Sequence, residues 1–133
     1  MFLVRTNLGP SSIHGLGAFA LEPIRKGQVV WHFDSRFDVR FPLSELSSLP
    51  PAIQECLRTR GSVEMRQGEK IVVLCPDNSQ FINHSTTPNL LDIEDGQKEV
   101  ALRDIAVGEE LTCDYYTFDL AVHEKLDETL TEV

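Results

Sequence analysis

The sequence predicts a mainly β protein with short helices, folded as a single domain. Three observations carry this. Short runs rich in β-branched and aromatic residues are broken by Gly and Pro; two glycine turns sit between such runs; only one interior segment has clear helix punctuation. Strands are expected over residues 2–5, 18–22 and 28–33. Gln67-Gly68 lies between residues 63–66 and 71–74, and Asp95-Gly96 between residues 90–93 and 100–102. Both read as tight hairpin turns, because Gly takes positive φ freely and Asp tolerates it. The helix is expected over residues 51–60, with prolines in its first turn and Gly61 placed as a left-handed C-terminal glycine. A second, acidic helix or tail is expected over residues 119–133, where Val122, Leu126, Leu130 and Val133 form an apolar stripe.

The chain has 133 residues, 41% of them hydrophobic, so one core can form without metals or disulfides. A formal charge of -9 repels nucleic-acid phosphates and attracts basic partners, though it also serves plain solubility. No stretch approaches the ~20 apolar residues of a membrane span, and the apolar run at Met1-Phe2-Leu3-Val4 is too short for a signal peptide. Cys56, Cys75 and Cys113 are odd in number and lack CxxC spacing, as expected of reduced thiols in a cytoplasmic protein. His14, His32, His84 and His123 are scattered, so no metal site is expected.

A short echo runs through the chain. Ile24-Arg25-Lys26-Gly27-Gln28 and Ile105-Ala106-Val107-Gly108-Glu109 share the form Ile-x-x-Gly-polar, an Ile to bury and a Gly to turn.

Three segments carry unusual chemistry. His14-Gly15-Leu16-Gly17-Ala18-Phe19-Ala20 formally matches a dinucleotide fingerprint, but turn chemistry over residues 8–12 precedes it. Pro23 and Gly27 then deny it a following helix. What remains is a tight turn or a place where backbone can approach a ligand closely. Phe81-Ile82-Asn83-His84-Ser85-Thr86-Thr87-Pro88-Asn89 carries an amide and an imidazole inward behind two large apolar residues. These need hydrogen-bond partners, either backbone or a polar ligand. Gly108-Glu109-Glu110-Leu111-Thr112-Cys113-Asp114-Tyr115-Tyr116 is a strand-like stretch ending in paired tyrosines. They could simply pack, or one could aim its hydroxyl at a reacting group.

In this order, the three segments resemble the SET-domain protein lysine methyltransferases. The resemblance covers residues 10–118 or so, and the second and third motifs are its specific part. It implies several small twisted sheets with a C-terminal pseudoknot, in which the Asn83 and Tyr115 segments cross. It implies transfer of a methyl group from S-adenosylmethionine to a lysine amine of a basic protein or peptide, with neither metal nor covalent intermediate. Leu16, Gly17, Asn83, His84 and Phe118 would hold the cofactor, Tyr115 would stand at the methyl-transfer point, and Cys113, Asp92 and Tyr116 would line the lysine channel.

This chain also departs from the family pattern. Gln80 stands where many members have Arg before Phe-Ile-Asn-His, and Thr86 replaces a usual Cys. No Cys follows Cys113, so the closing zinc module is not expected, and residues 119–133 or a partner would complete the site. The insert over residues 41–61 is short and is expected to make few substrate contacts. A non-catalytic binding module with the same fold is the alternative.

Overall fold

The computed structural model describes residues 1–120. Ten short strands follow in chain order: β1 (Thr6–Pro10), β2 (Leu16–Ala20), β3 (Val29–His32), β4 (Val39–Pro42), β5 (Ser62–Arg66), β6 (Glu69–Leu74), β7 (Asn83–His84), β8 (Leu90–Ile93), β9 (Lys98–Ala101) and β10 (Thr112–Cys113). One α-helix, α1 (Pro51–Arg60), and short 3₁₀ turns at Leu43–Ser48, Asn78–Phe81 and Tyr115–Thr117 complete the described chain. The strands form four small sheets: β1-β2, β3-β9-β8, β4-β6-β5 and the parallel pair β10-β7. The acidic segment expected over residues 119–133 lies, from residue 121 on, outside the described residues.

Both hairpins form, with different loops. Gln67 and Gly68 take φ of 52° and 77°, the pair of left-handed residues a two-residue turn requires. The β8–β9 loop is longer, Glu94 to Gln97, and holds three left-handed residues in succession at Glu94, Asp95 and Gly96. A Cβ at Gly96 would also meet the Arg66 guanidinium, which would have to move aside.

Several boundaries differ from the sequence reading. Residues 2–5 form no strand; Phe2 makes one isolated bridge to Trp31. Of the segment read as turn chemistry, Leu8, Gly9 and Pro10 belong to β1, paired residue for residue with β2 from Thr6↔Ala20 to Pro10↔Leu16, while Ser11 and Ser12 lie in the turn between the two strands. Edge pairing with one partner leaves room for its Gly and Pro. The second strand begins two residues earlier than expected, and β9 starts at Lys98. Helix α1 keeps its expected bounds, but Gly61 is extended, with φ -87°, not left-handed. Its glycine answers to space: a Cβ would sit 2.7 Å from the Leu57 carbonyl and 2.8 Å from Val72.

The echo is the centre of the fold. Ile24 and Ile105, 1% and 2% exposed, face each other in an isolated antiparallel bridge with N–H···O distances of 2.9 and 2.8 Å. Around them the bonds repeat in pairs: Ala20 N–H to Glu109 O beside Ala101 N–H to Gln28 O, both 3.0 Å, and Gly27 N–H to Ala101 O beside Gly108 N–H to Ala20 O, both 2.8 Å. Gly27 and Gly108 are both left-handed, at 83° and 89°. Two copies of Ala-Leu-x-x-Ile-x-x-Gly thus clasp each other about a local pseudo-two-fold, burying their Ile and Ala side chains in the main core with Val30, Leu90 and Leu111. A second core of Trp31, Phe33, Ile71 and Val73 joins the two three-stranded sheets, and a third of Leu46, Leu57, Val63 and Val72 lies under α1.

Candidate functional site

The site is built where β7 and β10 run side by side, with Thr112 opposite Asn83 and Cys113 opposite His84. Asn83 is buried, and its amide donates to the carbonyls of His14 and Leu16, both at 3.1 Å, and to Glu110 Oε2 at 2.8 Å. One side chain therefore ties the glycine segment, the Asn-His segment and the Gly-Glu-Glu segment together. Glu110 strengthens the same tie, because its carboxylate also accepts from Ser11 Oγ at 2.8 and 2.9 Å. Gly17 is the glycine this cluster needs, because a Cβ would lie 2.8 Å from Glu110 Cδ and 3.2 Å from Ser11 Cβ. Asn89 locks the same junction from the other side, taking the Thr112 N–H at 2.8 Å and donating to the Glu110 carbonyl at 2.8 Å while 2% exposed.

His84 Nδ1 accepts the Tyr115 backbone N–H at 3.0 Å, so its ring hydrogen sits on Nε2. The Tyr115 ring lies 5.3 Å from the His84 ring and 6.0 Å from the Phe118 ring, and the Tyr115 hydroxyl donates to the Ile82 carbonyl at 2.5 Å. Burial, and then the nearby Cys113, Asp119, Glu110 and Glu99, push the phenol well above its ordinary range. It stays protonated at any physiological pH, a donor rather than a base.

Beside Tyr115 lies a cavity of about 100 Å³. Tyr115, Phe118, Cys113 and Asp92 all line it, so four of the residues singled out from the sequence meet in one place. Cys113 is 3% exposed and also belongs to the main core. Tyr116 is exposed and borders a second hollow, which shares Asp92 and Phe118 with the first. Leu16, Gly17, Asn83 and His84 do not line the cavity; they form the adjoining junction. Two polar atoms there make no hydrogen bond among the described residues, the Asn83 Oδ1 acceptor and the His84 Nε2–H donor. An acceptor and a ring donor side by side suit an amino acid's ammonium and a purine, so the residues present fit S-adenosylmethionine.

The sequence reading missed several contributors. Arg60 lines the cavity, stacks over Phe81 with its guanidinium carbon 4.5 Å from the ring centroid, and donates to Gln80 Oε1 at 3.3 Å. The end of the insert thus reaches the cavity, through Arg60 together with Thr59 and Gly61. Glu64, Glu99 and Trp31 also line the cavity. The period-two alternation of β9, with Glu99 and Ala101 inward, was the available signal for Glu99.

Small paired sheets around an Asn83–His84–Tyr115 junction, beside a cavity that Asp92, Glu64 and Glu99 help to line, define the class of protein. Comparison with known proteins agrees. The family model of the SET domain matches residues 15–116. Among solved structures, a humanized mutant of the Chaetomium thermophilum Polycomb Repressive Complex 2 bound to an inhibitor superposes with a TM-score of 0.65 at 25% identity, over 91% of this chain and 16% of that one. A ctPRC2 structure in an autoinhibited conformation, bound to S-adenosylmethionine, gives 0.65 at 21%, over 96% and 17%. A Plasmodium falciparum protein described as a histone methyltransferase gives 0.56 at 22%, over 84% and 93%. The chain belongs to the SET-domain family. It spans about a sixth of the length of the polycomb chains it matches, and no helix among the described residues is long and apolar enough to cross a membrane.

Proposed function

We propose that this chain is one SET domain that transfers a methyl group from S-adenosylmethionine to a lysine side chain of a basic protein or peptide. The observation that carries the reading is the position of Tyr115, whose backbone is bonded to His84, whose hydroxyl is bonded to the Ile82 carbonyl and which lines the cavity. The parallel crossing of β7 and β10 is the arrangement expected of the family's pseudoknot. In this reading Asn83 and His84, with the backbone at Leu16 and Gly17, hold the cofactor, and Phe118 closes over it or over the amine. Bound there, the cofactor supplies an electrophilic methyl. The chain's own residues admit an amine to the cavity, hold it in line at about 3–3.5 Å, and exclude water. Tyr115, locked as a hydrogen-bond donor to Ile82, keeps its oxygen lone pairs available to orient the amine. Cys113 and Asp92 border the amine's path, with Tyr116 at its outer rim.

A binding module without turnover is the second reading, favoured by Gln80. Arg60 argues against it, because its guanidinium stands beside Gln80 and restores a cation at that place. The net charge of -9 supports a basic partner, and three cysteines without disulfides fit a cytoplasmic setting. Calorimetric titration with S-adenosylmethionine tests the reading: binding that Asn83→Ala weakens at least about tenfold supports the site, and no binding at millimolar ligand defeats it.

A further inference from the structure

One row of side chains crosses the β3-β9-β8 sheet. Trp31 on β3 is the register partner of Glu99 on β9, and Glu99 is the register partner of Asp92 on β8. All three line the cavity. Like charges directly opposite on neighbouring strands destabilise a sheet, so two facing carboxylates are a costly choice for a structural row. Glu99 is only 8% exposed, and its carboxylate makes no hydrogen bond among the described residues. Trp31, 6% exposed, has an indole N–H with no acceptor among the described residues. Glu64, the third acid in the cavity, is satisfied by Ser62 at 2.5 Å and by Arg66. The pair without a hydrogen-bond partner among the described residues is therefore Glu99 and Asp92.

A ligand with positive charge and N–H donors answers the two carboxylates of this row; the Trp31 N–H, a donor itself, is not met by it. The cavity holds the equivalent of about three waters at ~30 Å³ each, the size of an alkylammonium end. Val73, Ile82 and Phe118 supply apolar wall for a methylene stem. We propose that Glu99, with Asp92 beside it, accepts the proton of the substrate ammonium, so that the amine is neutral when it meets the methyl group. The inference rests on the methyltransferase reading. An N–H bond of the ammonium breaks, an O–H bond forms on Glu99, and the electron pair stays on nitrogen. Asp92, half-buried and shared with the second hollow, then passes the proton towards solvent.

The surroundings fit this role. Burial, then the charges of Asp92 and Glu64, push Glu99 up to about 8, while Asp77 adds to the shift and the Met1 ammonium opposes it. Burial and then Glu64 push Asp92 up to about 6; Arg66 opposes this and Asp95 adds to it. Cys75 is pushed up to about 12, chiefly by burial, and with Tyr115 remains neutral. Between those two carboxyl values the pair shares one proton, as closely spaced carboxylates do. An entering ammonium favours the ionised form and displaces it.

Titration of n-butylamine into the intact protein at pH 7, by calorimetry in two buffers of different ionisation enthalpy, reads this directly. Wild type is expected to release about one proton per amine bound; Glu99→Gln, which keeps the shape and removes the titration, should release none. Should that variant fail to fold, the wild-type release stands alone and Asp92→Asn should reduce it. No amine binding, binding without proton release, or equal release by Glu99→Gln overturns the proposal. In turnover, Glu99→Gln should lower kcat near neutral pH by about a hundredfold, with recovery at higher pH and an unchanged melting shift with S-adenosylmethionine. A flat difference across pH would mean a structural role only. Proton release without any methyl transfer defeats the methyltransferase reading and, with it, the role of Glu99 in turnover, leaving an amine-binding carboxylate; methyl transfer indifferent to Glu99 defeats this inference alone.

Discussion

The backbone N–H of Tyr115 donates to Nδ1 of His84 at 3.0 Å, joining the two residues through a main-chain group. The bond sets the tautomer of His84 and the position from which the Tyr115 ring descends. His84→Ala should therefore lower both cofactor affinity and kcat, while His84→Asn, whose amide oxygen can take the same N–H, should retain more of each. Steady-state kinetics with parallel calorimetry checks this; equal losses in the two variants would mean the acceptor is unimportant.

Gly17 and Glu110 occupy one space. Gly17→Ala must push the Glu110 carboxylate off Asn83 and Ser11, and overpacking of this kind costs about 1–3 kcal/mol. Glu110→Ala should cost about 1–3 kcal/mol by leaving the Ser11 hydroxyl short of an acceptor and removing the shortest of the Asn83 amide's bonds. Urea denaturation reads both. The double variant should cost less than the sum, since the two lesions strike the same contact.

Stability should fall as pH rises. Glu99, held up at about 8 in the fold, binds more protons folded than unfolded from the ordinary glutamate range upward. Unfolding free energy then decreases with pH by up to about 1.4 kcal/mol per unit, and levels off above pH 8. Glu99→Gln should flatten that slope and be the more stable protein at about pH 8. Urea midpoints from about pH 5 to about pH 9 measure it, and an unchanged slope in the variant would assign the effect elsewhere.

Cys113 lines the cavity with a small side chain, leaving room for an amine that already carries methyls to turn. Multiple methylation is expected from wild type and a shift towards the monomethyl product from Cys113→Tyr, followed by mass spectrometry over time. Strict monomethylation by wild type would contradict it.

The sequence made the helix, both hairpins and the three motif segments legible because each has local punctuation: Pro51 at a helix start, Gly68 and Gly96 in turns. It did not reveal β1, whose Gly9 and Pro10 resemble a loop until β2 is placed beside them. Gly61 was misread for a related reason, since its need for space comes from Val72 and Val73, distant neighbours on β6. Among the site residues, Tyr115, Cys113, Asp92 and Phe118 were legible and do meet. Trp31, Glu64 and Glu99 were not, because only the cross-strand register aims them into one cavity. The Ile24–Ile105 clasp was half visible: the echo was in the sequence, but its mutual pairing was not.

The central claim is that methyl transfer to lysine takes place at the Tyr115 hydroxyl. Its most direct test is single-turnover transfer from labelled S-adenosylmethionine to a panel of basic proteins and peptides, comparing wild type with Tyr115→Phe and locating the label by mass spectrometry. The account predicts label on lysine side chains with wild type, and a loss of rate of about a hundredfold or more in Tyr115→Phe with cofactor affinity nearly unchanged. Label on no substrate, or a Tyr115→Phe rate within a few-fold of wild type, would contradict it.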